Sequence, residues 1–262
     1  MVSRFSSGCD VDPRTVEAIS QVLSSFAFFK KTIKSIDRIE SKVEKVMTTD
    51  CIKRFGDRVN TSRGPIKLLE IYAERQSPLT AAVTASGHKA MRFTKHDGDL
   101  STFSGRLKLW SWIEQYNPEH IWMAPECGPW GGWNRLNQHK SLEMFDQIYL
   151  KQQREMIHVK LCAEICEYQV NRGRHFHLEQ PLGSSMYQLP AFQYIRQHTA
   201  RAIFDMCQFG LKIPQTDQYI RKRSQVFTSS QPMFLSLNQC LCNHQHLHHR
   251  IEGSHRFPGI GV

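Results

Sequence analysis

A chain of 262 residues is long enough to bury a sizeable core and fits one α/β domain with an appendage. Thirty-four Lys and Arg against 24 Asp and Glu give a formal charge of +10, which argues against an acidic surface and for a polyanionic partner, nucleic acid ahead of a membrane face. The basic residues form no amphipathic basic helix, no run approaches a membrane span, and Met1 to Thr15 carry no apolar signal segment. The expectation is an intracellular protein with no membrane attachment, whose eight cysteines are thiols or metal ligands and not disulfides.

The chain opens with a predicted amphipathic helix or helix pair. Asp12 before Pro13 is a good start signal, and neither Gly nor a further Pro intervenes before Met47. Apolar positions Ile19, Val22, Phe26, Phe29, Ile33, Ile36, Val43 and Met47 follow a three-four spacing broken only at Glu40, which suits an arm packed on its own domain or a self-association surface. Asn60 to Pro65 reads as a linker. Residues 1–64 are therefore expected to form the arm, 65–235 an α/β domain, and 236–262 a Cys/His-rich segment.

Within the central part, Ile66 to Tyr72 reads as a strand, and Ser77-Pro78 caps a helix ending at Gly87. Lys89 to Phe93 is a second strand, followed by the acidic turn Asp97-Gly98-Asp99. A helix from about Gly105 to Tyr116 leads to the apolar strand beginning at His120, which stops at Pro125 and presents Cys127 in a turn rich in Gly and Trp. A long helix is expected over Leu142 to Arg172, with Cys162 and Cys166 as core thiols. His175 to Glu179 is the next strand, Pro190 to Ala202 a helix, Ile203 to Phe209 a strand, and Gln225 to Thr228 another. This alternation predicts a mostly parallel, doubly wound sheet. Trp110, Trp112, Trp122, Trp130 and Trp133 read as core and turn packing in preference to base-stacking platforms.

Four pieces occur in a telling order: the first strand with its following turn; Ala124-Pro125-Glu126-Cys127; Leu178-Glu179-Gln180; and Ile213-Pro214-Gln215 with Arg221-Lys222-Arg223-Ser224-Gln225-Val226-Phe227. In this order and spacing the chain, from about Ile66 to Gly253, resembles the S-adenosylmethionine-dependent DNA cytosine-C5 methyltransferases. Trp133-Asn134-Arg135, Glu179-Gln180-Pro181 and the pattern from Cys242 to Gly253 look most like the divergent methyltransferase-like domains of algal and dinoflagellate retroelement polyproteins. The resemblance implies a Rossmann-like methyltransferase fold, S-adenosylmethionine as cofactor and DNA as partner, hence an intracellular and nuclear setting.

It also implies roles. Cys127 would be the nucleophile that adds to cytosine C6. Glu179 would hold the base and donate toward N3, with a carboxyl raised in pKa by burial. Arg221 and Arg223 would hold the nucleotide or its phosphates. Tyr72, Ala73, Glu74, Asp97, Asp99 and Pro125 would line the cofactor site. The loop Ala73 to Pro78 contains no Gly, and Glu126 stands where the family has a second Pro. These departures support an alternative, a non-catalytic nucleic-acid-binding module of retroelement origin that kept the fold and lost the cofactor.

The carboxyl-terminal segment has its own logic. Zinc takes four N or S ligands, and close pairs such as Cys240/Cys242 and His246/His248 can supply them. The related domains share Cys242, His246 and His248, leaving Cys240 or Cys207 as the fourth; a disordered His-rich tail is the alternative.

Overall fold

The structure is a computed structural model that describes residues 65–249, apart from Pro214, Gln215 and Gln239. The helical arm expected over Asp12 to Met47, and self-association through it, lie outside the described residues, as do residues 250–262 of the terminal pattern.

The chain forms an α/β domain around a mixed, mostly parallel six-stranded sheet. In sequence order its elements are β1 (Leu68–Ile71), α1 (Pro78–Ala85), β2 (Ala90–Phe93), α2 (Phe103–Tyr116), β3 (His120–Met123), α3 (Gly132–Asn137), α4 (Leu142–Asn171), β4 (His175–Pro181), α5 (Gln193–Gln197), β5 (Ala200–Asp205), β6 (Tyr219–Ile220), β7 (Arg223–Thr228), α6 (Gln231–Leu237) and β8 (His248–His249). The order across the sheet is β2-β1-β3-β4-β7-β5, and β6 pairs with β8 in a separate ladder. β2, β1, β3 and β4 are mutually parallel, while β7 runs antiparallel to both β4 and β5.

Local signals explain the elements. Ser77 caps α1 by accepting the N–H of Thr80, with Pro78 first in the helix. Thr102 caps α2, which closes on Asn117 in the left-handed conformation at φ 49°. Ser141 caps the 30-residue α4, whose buried Val159, Cys162, Ile165, Cys166 and Gln169 recur every three to four residues as one apolar stripe. Cys162 and Cys166 are thus core thiols, and burial pushes Cys162 up to about 12. Neighbouring residues of the inner strands are buried alternately and in succession, as a sheet covered on both faces requires. Ile71, Ile121, Met123, Phe176 and Leu178 have no exposure, and truncating any one to Ala costs about 2–5 kcal/mol.

Two expected elements differ. The helix expected over Pro190 to Ala202 is broken into a 3-10 turn at Pro190–Phe192 and the five-residue α5, and the strand expected at Ile203 to Phe209 begins at Ala200 and ends at Asp205. Pairing of 200–205 with 223–228 takes these residues from the helix, because Ala202 and Phe204 then bury against Val226 and Leu237. Among the described residues no helix is long and apolar enough to cross a membrane.

At the amino-terminal ends of β3 and β4 lies a histidine stack. The parallel register sets His120 beside His175, and the His120 and His177 rings stack with centroids 5.2 Å apart. Nδ1 of His120 is 3.0 Å from Nε2 of His177, whose Nδ1 is 2.8 Å from Thr228 Oγ1. Burial, with help from His120 and His175, pulls the pKa of the fully buried His177 down to about 3. The unfolded chain binds this proton near pH 6.5, so the folded state holds fewer protons between the two values and stability falls as pH drops from about 6.5 toward 3. His120, also depressed by burial, acts in the same direction. The unfolding free energy from urea titrations is therefore expected to fall between about pH 7.5 and pH 5, by up to about 1.4 kcal/mol per pH unit for His177. His177→Gln should flatten that slope; an unchanged slope would show that the proton linkage lies elsewhere.

Candidate functional site

The strand order reverses between β1 and β3: the chain leaves β1 for β2 on one side and returns to build β3 and β4 on the other. Ligands of open α/β sheets bind outside the carboxyl ends of the strands at such a point. A cleft of about 530 Å³ lies there, within the range of small-molecule sites. Its wall includes Tyr72 and Ala73 after β1, Asp99 after β2, Glu126 after β3, and Glu155 and His158 from α4.

Tyr72 adopts φ 63°, a conformation that glycine occupies at no cost and that is an outlier for a bulky residue. The backbone therefore turns out of β1 in the left-handed region although no glycine follows the strand. The Tyr72 hydroxyl is 3.2 Å from His158 Nδ1 and accepts a weak hydrogen bond from Cys162 Sγ at 3.8 Å. Burial raises Tyr72 well above the usual phenol value and lowers His158, so both are neutral at pH 7. Asp99 is held at the cleft by a tight approach to α2: a Cβ on Gly105 would lie 2.0 Å from the Asp99 carbonyl oxygen.

Three residues expected in the cofactor site lie outside the cleft wall. Asp97 turns inward and accepts the N–H and hydroxyl of Thr94 at 2.8 and 2.7 Å, which holds its carboxyl below the usual range against partial burial. Its role is to close its own turn. Pro125 is buried, its carbonyl accepting Gln180 Nε2 at 2.8 Å, and Glu74 is exposed.

Cys127 is half-buried and caps a 3-10 turn (Gly128–Trp130) that starts one residue later. It stands beside the cleft wall, where Glu126 is the residue that enters. The Gln180 bond to Pro125 fastens its loop to the end of β4, and Asn134 Nδ2 and Gln152 Nε2 fasten the turn from α3 and α4 by donating to the carbonyls of Gly128 and Pro129. The charged groups that act on the thiol are Lys222, Glu179 and Glu126. Burial raises the pKa, Lys222 opposes, and the two carboxylates reinforce the rise. Glu179 Oε1 is buried with no hydrogen-bond partner. A buried acceptor in that state is free to take a donor.

Arg221 and Arg223 are not the cations at this thiol. Both face Asp205, which has no exposure: Arg223 binds it through Nε and Nη2 at 2.8 and 2.9 Å, and Arg221 Nε lies 3.8 Å away. A buried carboxylate is the stronger claimant for a guanidinium that would otherwise face solvent. Lys222, between the two, is a cation whose charge acts on the Cys127 thiol.

A second constellation adjoins Asp205. Cys207, Cys242, His246 and His248 each place a ligand atom within 4.8 Å of the others, a group that can hold a metal ion. Cys207 sits on the 3-10 turn after β5 (Met206–Phe209), and the Cys242 N–H donates to Asp205 Oδ2 at 2.9 Å. Cys240, an expected ligand, is excluded: its thiol faces the Ser236 carbonyl at 3.2 Å while its own carbonyl accepts the Asp205 N–H. The chain thereby turns Cys242, not Cys240, toward Cys207.

The sequence reading missed Glu155, His158 and Lys222. Glu155 and His158 stand at helical spacing from the buried Cys162, a polar pair on an otherwise apolar stripe, which is a readable signal; Lys222 was hidden inside a charge run. Of the five tryptophans, Trp130 is core and Trp110 nearly so, whereas Trp133 is 81% exposed. From the Cys127 environment, iodoacetamide alkylation read on the Cys127 peptide by mass spectrometry should rise only above the ordinary thiol pKa of about 8.5. Glu179→Gln removes a negative charge and should raise the rate at pH 8 about two- to fivefold; a profile centred below the ordinary value would contradict the geometry. No protein-family model matches this chain, and no curated protein matches its sequence.

Proposed function

We propose that the protein is a divergent, S-adenosylmethionine-dependent methyltransferase acting on cytosine C5 in DNA, with Cys127 as nucleophile. The observation that carries this reading is that Cys127 and the unpartnered carboxylate of Glu179 meet at the carboxyl ends of the adjacent strands β3 and β4, next to a switch-point cleft. The Rossmann-like methyltransferase fold belongs to the same proposal and is supported by the sheet order and its reversal between β1 and β3.

S-adenosylmethionine, when bound, supplies an electrophilic methyl group, and the left-handed turn at Tyr72 with Asp99 across the cleft suits such a ligand. Cys127 as thiolate would add to C6 of the base while the Glu179 carboxyl gives a proton to N3, which makes C5 nucleophilic toward the methyl group that the cofactor would supply, itself leaving as S-adenosylhomocysteine. Loss of the C5 proton to water and return of the N3 proton to Glu179 expel the thiolate and restore the enzyme. The base must leave a duplex to reach Cys127, and a net charge of +10 suits the phosphate backbone that it leaves. Burial raises the pKa of the thiol, so Cys127 has to lose its proton before it attacks.

Zinc is the metal we assign to the Cys/His centre. Tetrahedral zinc, with bonds of about 2.3 Å to sulfur and 2.0 Å to nitrogen, separates S and N ligands by about 3.5 Å. Cys242 Sγ is 3.6 Å from His246 Nε2 and 3.4 Å from His248 Nε2. Four protein ligands leave no open position, so the role is structural.

The second reading, a nucleic-acid-binding module without catalysis, is favoured by the raised pKa of Cys127 and by the engagement of both arginines with Asp205. Duplex DNA carrying 5-fluorocytosine separates the two: an adduct that survives denaturation and is lost in Cys127→Ala supports the enzyme, with calorimetric binding of S-adenosylmethionine weakened by Asp99→Ala. DNA binding with neither adduct nor cofactor uptake leaves the module. Purified protein should carry one zinc per chain, abolished by Cys242→Ser and retained in Cys240→Ser; zero zinc in the wild type would remove the assignment.

A further inference from the structure

Asp205 joins the two constellations. Its carboxylate receives Arg223 on one side and the Cys242 N–H on the other, and the main chain repeats the link, Asp205 N donating to Cys240 O at 3.0 Å and Met206 N to Lys222 O at 2.9 Å. The turn Arg221-Lys222-Arg223 is gripped from its other flank as well. β6 precedes it directly and pairs with β8, Tyr219 opposite the ligand His248. Both neighbours of this turn are therefore ligand-bearing segments.

The same turn lies at the end of the sheet that carries the thiol. β7 runs antiparallel to β4 with Ser224 opposite Pro181, so the residues just before β7 emerge where β3 and β4 finish. The Gln180 bond to Pro125 fixes the Cys127 loop at that end. Of the groups acting on Cys127 there, the carboxyl groups of Glu179 and Glu126 push its pKa up and Lys222 pulls it down.

We propose that a metal ion bound by Cys207, Cys242, His246 and His248 holds the Arg221-Lys222-Arg223 turn through Asp205, and so keeps Lys222 beside Cys127. Metal occupancy then sets the reactivity of the thiol, and Lys222 is a positioning residue whose place depends on the metal. The inference rests on the metal reading of the centre. It needs neither methyl donor nor nucleic acid, so it stands or falls separately from methyl transfer.

The test is iodoacetamide alkylation of the full chain, in which Cys127 sulfur displaces iodide to form a thioether, read on the Cys127 peptide alone across a pH series. Three states are compared with the zinc-loaded wild type: zinc removed by a chelator, Asp205→Asn with its zinc content measured, and Lys222→Met, a partly exposed position that leaves both cores intact. Each should lower the rate at pH 8 about three- to tenfold and move the profile to higher pH, as the loss of one adjacent cation does. Circular dichroism monitors retention of the fold. Re-adding zinc should restore the chelated wild type and leave Lys222→Met slow. A Lys222→Met profile equal to wild type overturns the role of Lys222. Slowing by Lys222→Met with none on zinc removal from folded protein overturns the coupling. A chain that binds no zinc fails at the metal reading instead, a result the zinc stoichiometry reports separately.

Discussion

The antiparallel insertion of β7 between β4 and β5 is the constraint from which the rest of this domain follows. Had the last strands continued in parallel, residues 221–224 would have emerged at the amino-terminal end, beside the histidine stack. Reversing β7 brings them to the carboxyl end, where Pro125 to Cys127 and Glu179 to Pro181 already lie. Three strand ends from distant parts of the chain then share one small region. Two of them are tied by Gln180 to Pro125, and Gln225 Nε2 ties the third by donating to the Pro181 carbonyl at 3.1 Å.

Within that region the disposition of charge is decided by burial. Asp205 is shut off from solvent and its carboxyl is held below the usual range, chiefly by Arg223. A buried carboxylate stripped of its partner costs about 3–5 kcal/mol, more than an exposed arginine gains from waiting for a ligand. The two arginines are consequently tied to Asp205, and Lys222 between them is a cation that acts on the thiol. The Cys/His segment joins this arrangement through the Cys242 N–H and through β8, so the region expected to be an appendage is hydrogen-bonded into the sheet's edge.

How much of this could be read from the sequence follows from the range of each signal. Local chemistry was legible: Ser77-Pro78, the stripe of α4 with Cys162 and Cys166, and the strand ending at Pro125 all lie within a few residues of where they were expected. Tyr72, Ala73 and Asp99 were placed by strand order, since a residue after a strand must lie at its carboxyl end. What the sequence left open depended on pairings across the chain. Whether Asp97 or Asp99 faces the cleft is settled by Thr94 and by the contact at Gly105, and whether Cys207 or Cys240 joins Cys242 is settled by the Asp205 N–H. The Arg221-Lys222-Arg223 run shows three cations in a row, and nothing in the run says which of them a buried aspartate, sixteen residues before the first, will take.

The thiol at the end of β3 is where these constraints meet. An open sheet delivers Cys127 and Glu179 to the same place by topology alone, and the packing that fixes the thiol also strips it of water. Burial raises its pKa, and Glu126 and Glu179 raise it further, so geometry and protonation pull in opposite directions. Lys222 opposes them. Since the backbone of that lysine is anchored to the turn that carries Cys207, the balance at Cys127 is set partly by a residue that never touches it, Asp205, whose buried charge determines where the lysine stands.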